Sequence, residues 1–304
     1  MLSLRIRVES ERGNSTSVAS DSRAKVDPVN HLLHSMFNQI DVYFNQKFIS
    51  PNNAYAYRAY IKALLNYASL AKTSHLTSCL WDADIPDYMD DTLDSSNPNI
   101  VLERRTQYIQ GNHALDLIGH LHCDVFNQDK FLINGVEVRM RLVRSKDSFC
   151  LMESKTISKI HILDASLFVR KAKVSVDVLL AHARMLSKTI AKYPFTRVEV
   201  KIFTIHADVV GESIDNAILG QLSKQIIVGF VDSEAFNGDR KLNPFNFKNN
   251  RINFFSLYAD DMQIPNRLIQ PNFSKNEPLY FETYHTLFSG TDIHFLNEGN
   301  SKYK

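Results

Sequence analysis

Gln128-Asp-Lys-Phe-Leu-Ile-Asn-Gly-Val-Glu-Val-Arg-Met-Arg-Leu-Val-Arg-Ser-Lys-Asp-Ser-Phe-Cys-Leu-Met152 reads as a β-hairpin. Asn134-Gly135 separates two apolar runs, and Asn and Gly are the residues that tolerate positive φ at both centres of a type I′ turn. Beyond the turn, Val136, Val138, Met140 and Leu142 alternate with Glu137, Arg139, Arg141 and Val143. A period of two describes a strand with one dry face and one charged face.

The same grammar recurs on both sides. Leu2, Leu4, Ile6 and Val8 form one face of an opening strand, which suggests a missing upstream partner strand. A polar, Ser-rich loop over 10–27 follows, and then Ile40, Val42 and Phe44 alternate with Asp41, Tyr43 and Asn45. From Asn53 to Lys72 the period changes to that of a helix, with Tyr57, Ile61, Leu64, Leu65 and Ala68 on one side. Residues 82–99 make an irregular acidic loop. Strands are expected again at Leu115–Phe126, Ile160–Lys171, Phe195–Ile205, Gln225–Val231 and Ile252–Tyr258, with 279–288 a weaker candidate. Ser175 to Lys192 is helical, carrying Val176, Leu179, Ala183, Leu186 and Ile190 on one stripe, and Pro194 ends it. About nine strands and two helices result from this pattern. Strand clusters on both sides of the 175–192 helix imply two β modules in tandem.

The totals are those of an ordinary globular chain. Its 304 residues, 44% hydrophobic and 22% charged, can bury a sizeable core. A formal charge of +2 supplies no global field for nucleic acid or an acidic membrane. Three widely spaced cysteines, Cys79, Cys123 and Cys150, indicate neither a disulfide framework nor a thiolate zinc site, so free thiols in a reducing compartment are expected. The alternating N-terminus is no signal-peptide core, and no run approaches the ~18 apolar residues of a membrane span. The expectation is an intracellular, non-secreted protein in which the sequons at Asn14 and Asn272 mean little.

Candidate chemical residues are few. His120, His122 and Asp124 would share one face of a 115–126 strand and would hold a transition metal if another strand added a ligand. The plainer reading is the polar outer face of a half-buried strand. His31 and His34 would be neighbours on a helical turn and able to chelate, but the metalloprotease pattern with its Glu is absent, so they read as structural histidines. The acidic loop offers oxygen ligands for calcium yet fails the EF-hand template, with Pro86 interrupting it. Arg139, Arg141, Arg144, Lys146, Arg170, Lys171 and Lys173 read as solvated strand faces and ends, or as contacts to acidic surfaces. There is no P-loop, and Gly211-Glu212-Ser213-Ile214-Asp215 lacks the closing Gly of a nucleophile elbow. No catalytic residue, cofactor or metal is assigned from the residues, and no enzymatic activity is expected.

Several stretches together resemble the double jelly-roll major capsid proteins of Maverick (Polinton) virus-like elements. They are Pro28-Val-Asn-His-Leu-Leu-His-Ser-Met-Phe-Asn-Gln-Ile-Asp-Val-Tyr-Phe-Asn45, Tyr57-Arg-Ala-Tyr-Ile-Lys-Ala-Leu-Leu65, the Gln128–Met152 run, Asn243-Pro-Phe-Asn-Phe-Lys248 and Tyr258-Ala-Asp-Asp-Met-Gln-Ile-Pro265. The family's Asn-Gly-type turn after the Ile40–Phe44 strand stands here as Asn45-Gln46-Lys47. The resemblance implies two jelly-roll sandwiches in one chain, forming trimers that tile an icosahedral shell. It places the first roll at 1–174 without its first strand, a linker helix at 175–192, and a truncated second roll at 193–304. About nine strands fall short of the roughly sixteen that two rolls need. The implied function is a structural protein whose partners are copies of itself and other capsid proteins, with no membrane and no specific nucleic acid. Two rivals stand beside it. One is a ligand- or metal-binding jelly roll of lectin or cupin type, with His120, His122 and Asp124 converging inside a barrel, which stoichiometric zinc, iron or manganese would favour over assembly. The other is a domesticated host relic that keeps the fold without assembling.

Overall fold

The structure is a computed structural model that describes residues 1–11, 26–50, 53–91, 99–128, 130–153, 157–195, 197–220, 223–259 and 262–289. Strand β1 (Leu2–Glu11) follows its alternation, and Leu2, Leu4, Ile6 and Val8 all point into the core. A two-residue strand β2 (Asp27–Pro28) leads into the single turn α1 (Leu32–Ser35), which is buried throughout. Strands β3 (Phe37–Phe44) and β4 (Lys47–Ser50) form a hairpin whose loop is Asn45-Gln46. Both loop residues are left-handed, with φ of 46° and 67°, the conformation that a type I′ turn demands. Helix α2 (Tyr55–Asn66) then buries Tyr55, Ala59, Tyr60 and Ala63, and the short α3 (Ser69–Thr73) stays at the surface. Helix α4 (Ile100–Gln107) starts at Asn99, whose side chain accepts the Val101 N–H at 3.0 Å.

Next come β5 (Leu115–Gly119), β6 (Val138–Arg144), the turn α5 (Asp147–Cys150), β7 (Leu151–Met152) and β8 (Ile157–Leu167). The second half holds α6 (Val176–Leu186), α7 (Ser233–Asn237), β9 (Phe255–Ala259), β10 (Met262–Ile269) and α8 (Phe281–Ser289).

All described strand pairs are antiparallel. The larger sheets have the orders β5-β1-β8 and β4-β3-β6, and the two-stranded ones are β2-β7 and β9-β10. Strand β1 is central and paired on both edges. The expected mainly β architecture is thus a strand-rich one with helices packed among antiparallel sheets. Among the described residues, its buried hydrophobic core comes from positions before 161 apart from Phe245, while Ile162, Phe195, Val200, Val231 and Phe247 pack against it half-buried.

Several expectations are corrected. The hairpin over 128–152 does not form, although Asn134 and Gly135 do make a turn. Strand β6 pairs instead with β3, from Phe37↔Arg144 to Phe44↔Val138. Asn45 holds that register, donating its N–H to Glu137 O at 3.0 Å and accepting the Glu137 N–H on its side chain at 2.9 Å. The long β3 ladder outcompetes Phe131-Leu132-Ile133, which has no ladder. The strand expected over 115–126 stops at Gly119, where its pairing with β1 ends at Leu2↔Gly119. The described parts of 195–205 and 225–231 form no strand, and 281–289 is helical. Of the polar loop expected over 10–27, residues 10 and 11 extend β1 and Asp27 opens β2; its residues 12–25, and 92–98 of the acidic loop, lie outside the described residues.

Residues 230–248 return to the first half. The Glu153 N–H donates to Arg240 O at 2.9 Å, and the Asn243 N–H donates to Asp90 Oδ1 at 2.8 Å. These contacts carry Phe245 into the core.

A buried histidine cluster as candidate metal centre

His31 and His34 bracket Leu32-Leu33 on the α1 turn. His31 is its N-cap and adopts a left-handed conformation, φ 60°, an unusual state for a side-chain-bearing residue. Backbone and side-chain bonds hold it there. The His31 N–H donates to Leu80 O at 3.1 Å, and Ser35 Oγ donates to Asn30 O at 3.0 Å. The Asn30 side chain in turn donates to Asp82 O and accepts the Asp82 N–H at 3.0 Å. The apolar residues Leu32 and Leu33 draw the turn inward, and both imidazoles go with it.

His122 arrives from the segment after β5. Its N–H donates to Tyr55 Oη at 3.1 Å, and the same hydroxyl lies 2.8 Å from His34 Nδ1. Ring centroids are 4.2 Å apart for His31–His34, 4.6 Å for His34–His122 and 5.7 Å for His31–His122. One ring nitrogen from each residue lies within 4.8 Å of the others. Trp81 closes the cluster edge-on to His31 at 5.2 Å. Gly119 makes room for it: a Cβ there would collide with Cys79 Sγ and Leu33 Cδ2 and come within 3.3 Å of His34 Nε2.

Burial, above all, keeps the rings neutral. It pushes His34 down to about 3, and it holds His31 and His122 well below the ordinary histidine range. Neighbouring imidazoles add to the last two, and Lys62 and Arg58 add to His122. The Cys79 thiol is pushed up to about 12 by burial and donates to Ile118 O at 3.3 Å.

The expected trio of His120, His122 and Asp124 is not brought together. Because the ladder stops at Gly119, the alternation that would align them is lost, leaving His120 exposed and His122 buried. Asp124 forms a buried ion pair with Arg58 and accepts the Val198 N–H at 3.1 Å. Within the acidic loop, Asp82 meets Arg104, Asp84 meets Arg105 and Asp90 accepts from Asn243 and Asn246, so these carboxylates tie the fold together rather than standing free for calcium. The roles of Tyr55 and Gly119 carry no local signature. His31 and His34 do, as two histidines at helical spacing embedded in apolar sequence.

A second feature is a surface. No residue of α6 is buried, and Val176, Leu180, Met185 and Leu186 are among its exposed side chains. Exposed aliphatic and aromatic residues continue through Ile202, Phe203 and Ile227. Two open clefts, about 400 and 440 Å³, are lined around Lys62 and Asp124 and around Phe44 and Leu186, and the histidine cluster belongs to neither.

No known family profile matches the chain. It is similar to an uncharacterized protein of Caenorhabditis elegans, 21% identical over 262 residues that cover 84% of this chain. The matched region spans 59% of that relative's length. Among the described residues, no helix is long and apolar enough to cross a membrane.

Proposed function

We propose that this chain is a structural, non-catalytic protein of the double jelly-roll capsid type that associates with copies of itself. The observation that carries the reading is the exposed apolar surface of the second half around α6, an amphipathic helix none of whose residues is buried. Monomeric soluble proteins rarely leave contiguous apolar patches beyond a few hundred Å² uncovered, and larger ones mark association surfaces. Antiparallel pairing throughout the described sheets supports a jelly-roll reading; its proposed modules are 1–174 and 193 onward, with a linker at 175–192. In this reading trimers tile a shell inside the cell, and neither membrane nor specific nucleic acid is a partner.

The test is light scattering and negative-stain imaging of the purified chain. Trimers or larger closed assemblies are expected; a strictly monomeric chain at its highest soluble concentration contradicts the reading. A domesticated relic that only perturbs assembly differs in one outcome. It would stay small alone and alter particles when co-expressed with an intact relative.

The histidine cluster favours a second reading, the ligand-binding jelly roll of cupin type. That chemistry needs an open coordination position facing a cavity. His31, His34 and His122 are each 2% exposed or less and line neither of these clefts, which weighs toward the assembly reading.

A further inference from the structure

Three imidazoles packed ring against ring are costly unless something joins them. Neither nitrogen of His31 has a hydrogen-bond partner, nor has Nε2 of His34 or Nε2 of His122. A neutral imidazole always carries one N–H, so His31 buries at least one orphan donor whichever tautomer it adopts. Leaving a buried polar group unsatisfied costs about 1–3 kcal/mol. The rings also converge, one nitrogen from each falling within 4.8 Å of one nitrogen of each of the other two.

We propose that His31, His34 and His122 ligate a single divalent first-row transition ion, zinc foremost, which fastens the α1 turn to the segment that follows β5. Neutral imidazole is the ligand such ions take, and an ion would satisfy the converging lone pairs at once. Zinc–imidazole bonds of ~2.0–2.1 Å require the nitrogens to draw in, a movement that rotation of the rings supplies. Tyr55 is placed as the orienting partner: with the metal on His34 Nε2, the remaining proton sits on Nδ1 and donates to Tyr55 Oη at 2.8 Å. The same hydroxyl fixes the His122 backbone. The Cys79 thiol, engaged with Ile118 O, is left out of the ligand set. Because the site is walled in by α1, α2 and Trp81, the ion enters as the chain folds and holds two segments together rather than acting on a substrate. Self-association does not depend on it, so metal content and particle size are separate readouts.

The experiment takes the untagged full-length chain, produced with zinc or refolded with Co²⁺, and measures metal content after gel filtration together with the visible absorption of the cobalt form. One equivalent per chain is expected, with visible d–d absorption from the imidazole-bound cobalt. His120→Ala should keep the full equivalent, since His120 is exposed and outside the cluster. Tyr55→Phe retains the ring packing and should weaken binding about 10- to 100-fold, the usual consequence of removing an orienting partner. His34→Gln should abolish the equivalent and the bands. A folded wild-type chain that retains no ion, or a His34→Gln chain that retains the same equivalent, overturns the proposal.

Discussion

Phe245 lies flat on Tyr60, with ring centroids 4.3 Å apart and planes 3° from parallel, although 185 positions separate them. The contact ties the second half of the chain to the core, alongside Phe247 against Tyr57 and Tyr60. Tyr57 and Phe149 meet Phe245 edge-on at 5.6 and 5.8 Å, so the ring fills a three-sided aromatic pocket. Aromatic pairs of this kind contribute about 0.5–1.5 kcal/mol beyond the area they bury. Phe245→Ala is expected to cost about 3–5 kcal/mol in urea unfolding, while Phe245→Leu costs distinctly less. Equal midpoints for the alanine variant and the wild type would show that the pocket is not formed.

Arg105 and Asp84 make a second long-range tie. The guanidinium donates to Asp84 Oδ1 at 2.7 Å, to Asp82 O at 3.0 Å and to Pro28 O at 3.1 Å, and both side chains are 2% exposed or less. Removing one partner strands the other charge, so Asp84→Ala should cost about 3–5 kcal/mol. The neighbouring Arg104–Asp82 pair at 3.0 Å is largely solvated, and Arg104→Ala should cost no more than about 1 kcal/mol. Comparing the two denaturation midpoints checks the contrast.

Gly119 admits no side chain. Its Cβ would meet Cys79 Sγ and Leu33 Cδ2, both in the core, so Gly119→Ala should destabilise by about 1–3 kcal/mol through overpacking. Gly135, with open space around it, serves as the control for alanine, which there meets only the cost of its φ of 89°. Thermal unfolding of the Gly119 variant at the wild-type temperature would contradict the packing described.

Much of this was legible residue by residue. The faces of β1 and of Ile40 and Val42 in β3 follow from alternation, although Asp41 of the expected polar face is buried too; in α2 the expected stripe is displaced, because Tyr55, Ala59, Tyr60 and Ala63 face the core with Arg58, whereas Ile61 and Leu64 are only half-buried. Elsewhere the same pattern misleads: Phe195–Ile205 alternates yet its described residues make no ladder, since periodicity reports amphipathicity and not a partner strand. The turn at Asn134-Gly135 was visible, but the choice of β3 as the partner of β6 is a competition between ladders. The histidine cluster joins positions 31 and 34 to 122 through space. Its geometry depends on where β5 stops, a boundary set by the register with β1. The contacts of the acidic loop were hidden for the same reason, their partners lying on α4 and, for Asp90, at Asn243, Asn246 and Lys248 near Phe245.

Acid should destabilise the metal-free chain through its histidines. With His34 held at about 3 against ~6.5 in the unfolded chain, the unfolded state binds more protons between these values. Stability is therefore fully present above about pH 6.5 and falls as the pH drops toward 3, by about 1.4 kcal/mol per pH unit for each such histidine. His31 and His122, depressed in the same direction, steepen the slope. In chelator-treated protein, His34→Gln should flatten the pH dependence of unfolding by about one proton; an unchanged slope would show that the ring is solvated.

Sedimentation velocity on the wild type beside a Leu180→Glu variant bears most directly on the structural role. Leu180 is 52% exposed on α6, so the change touches no buried packing and leaves the fold intact. Trimers or larger species for the wild type, collapsing to monomer in the variant with unchanged circular dichroism, are the predicted result. A wild type that sediments as a monomer, or a variant that assembles equally well, would contradict it.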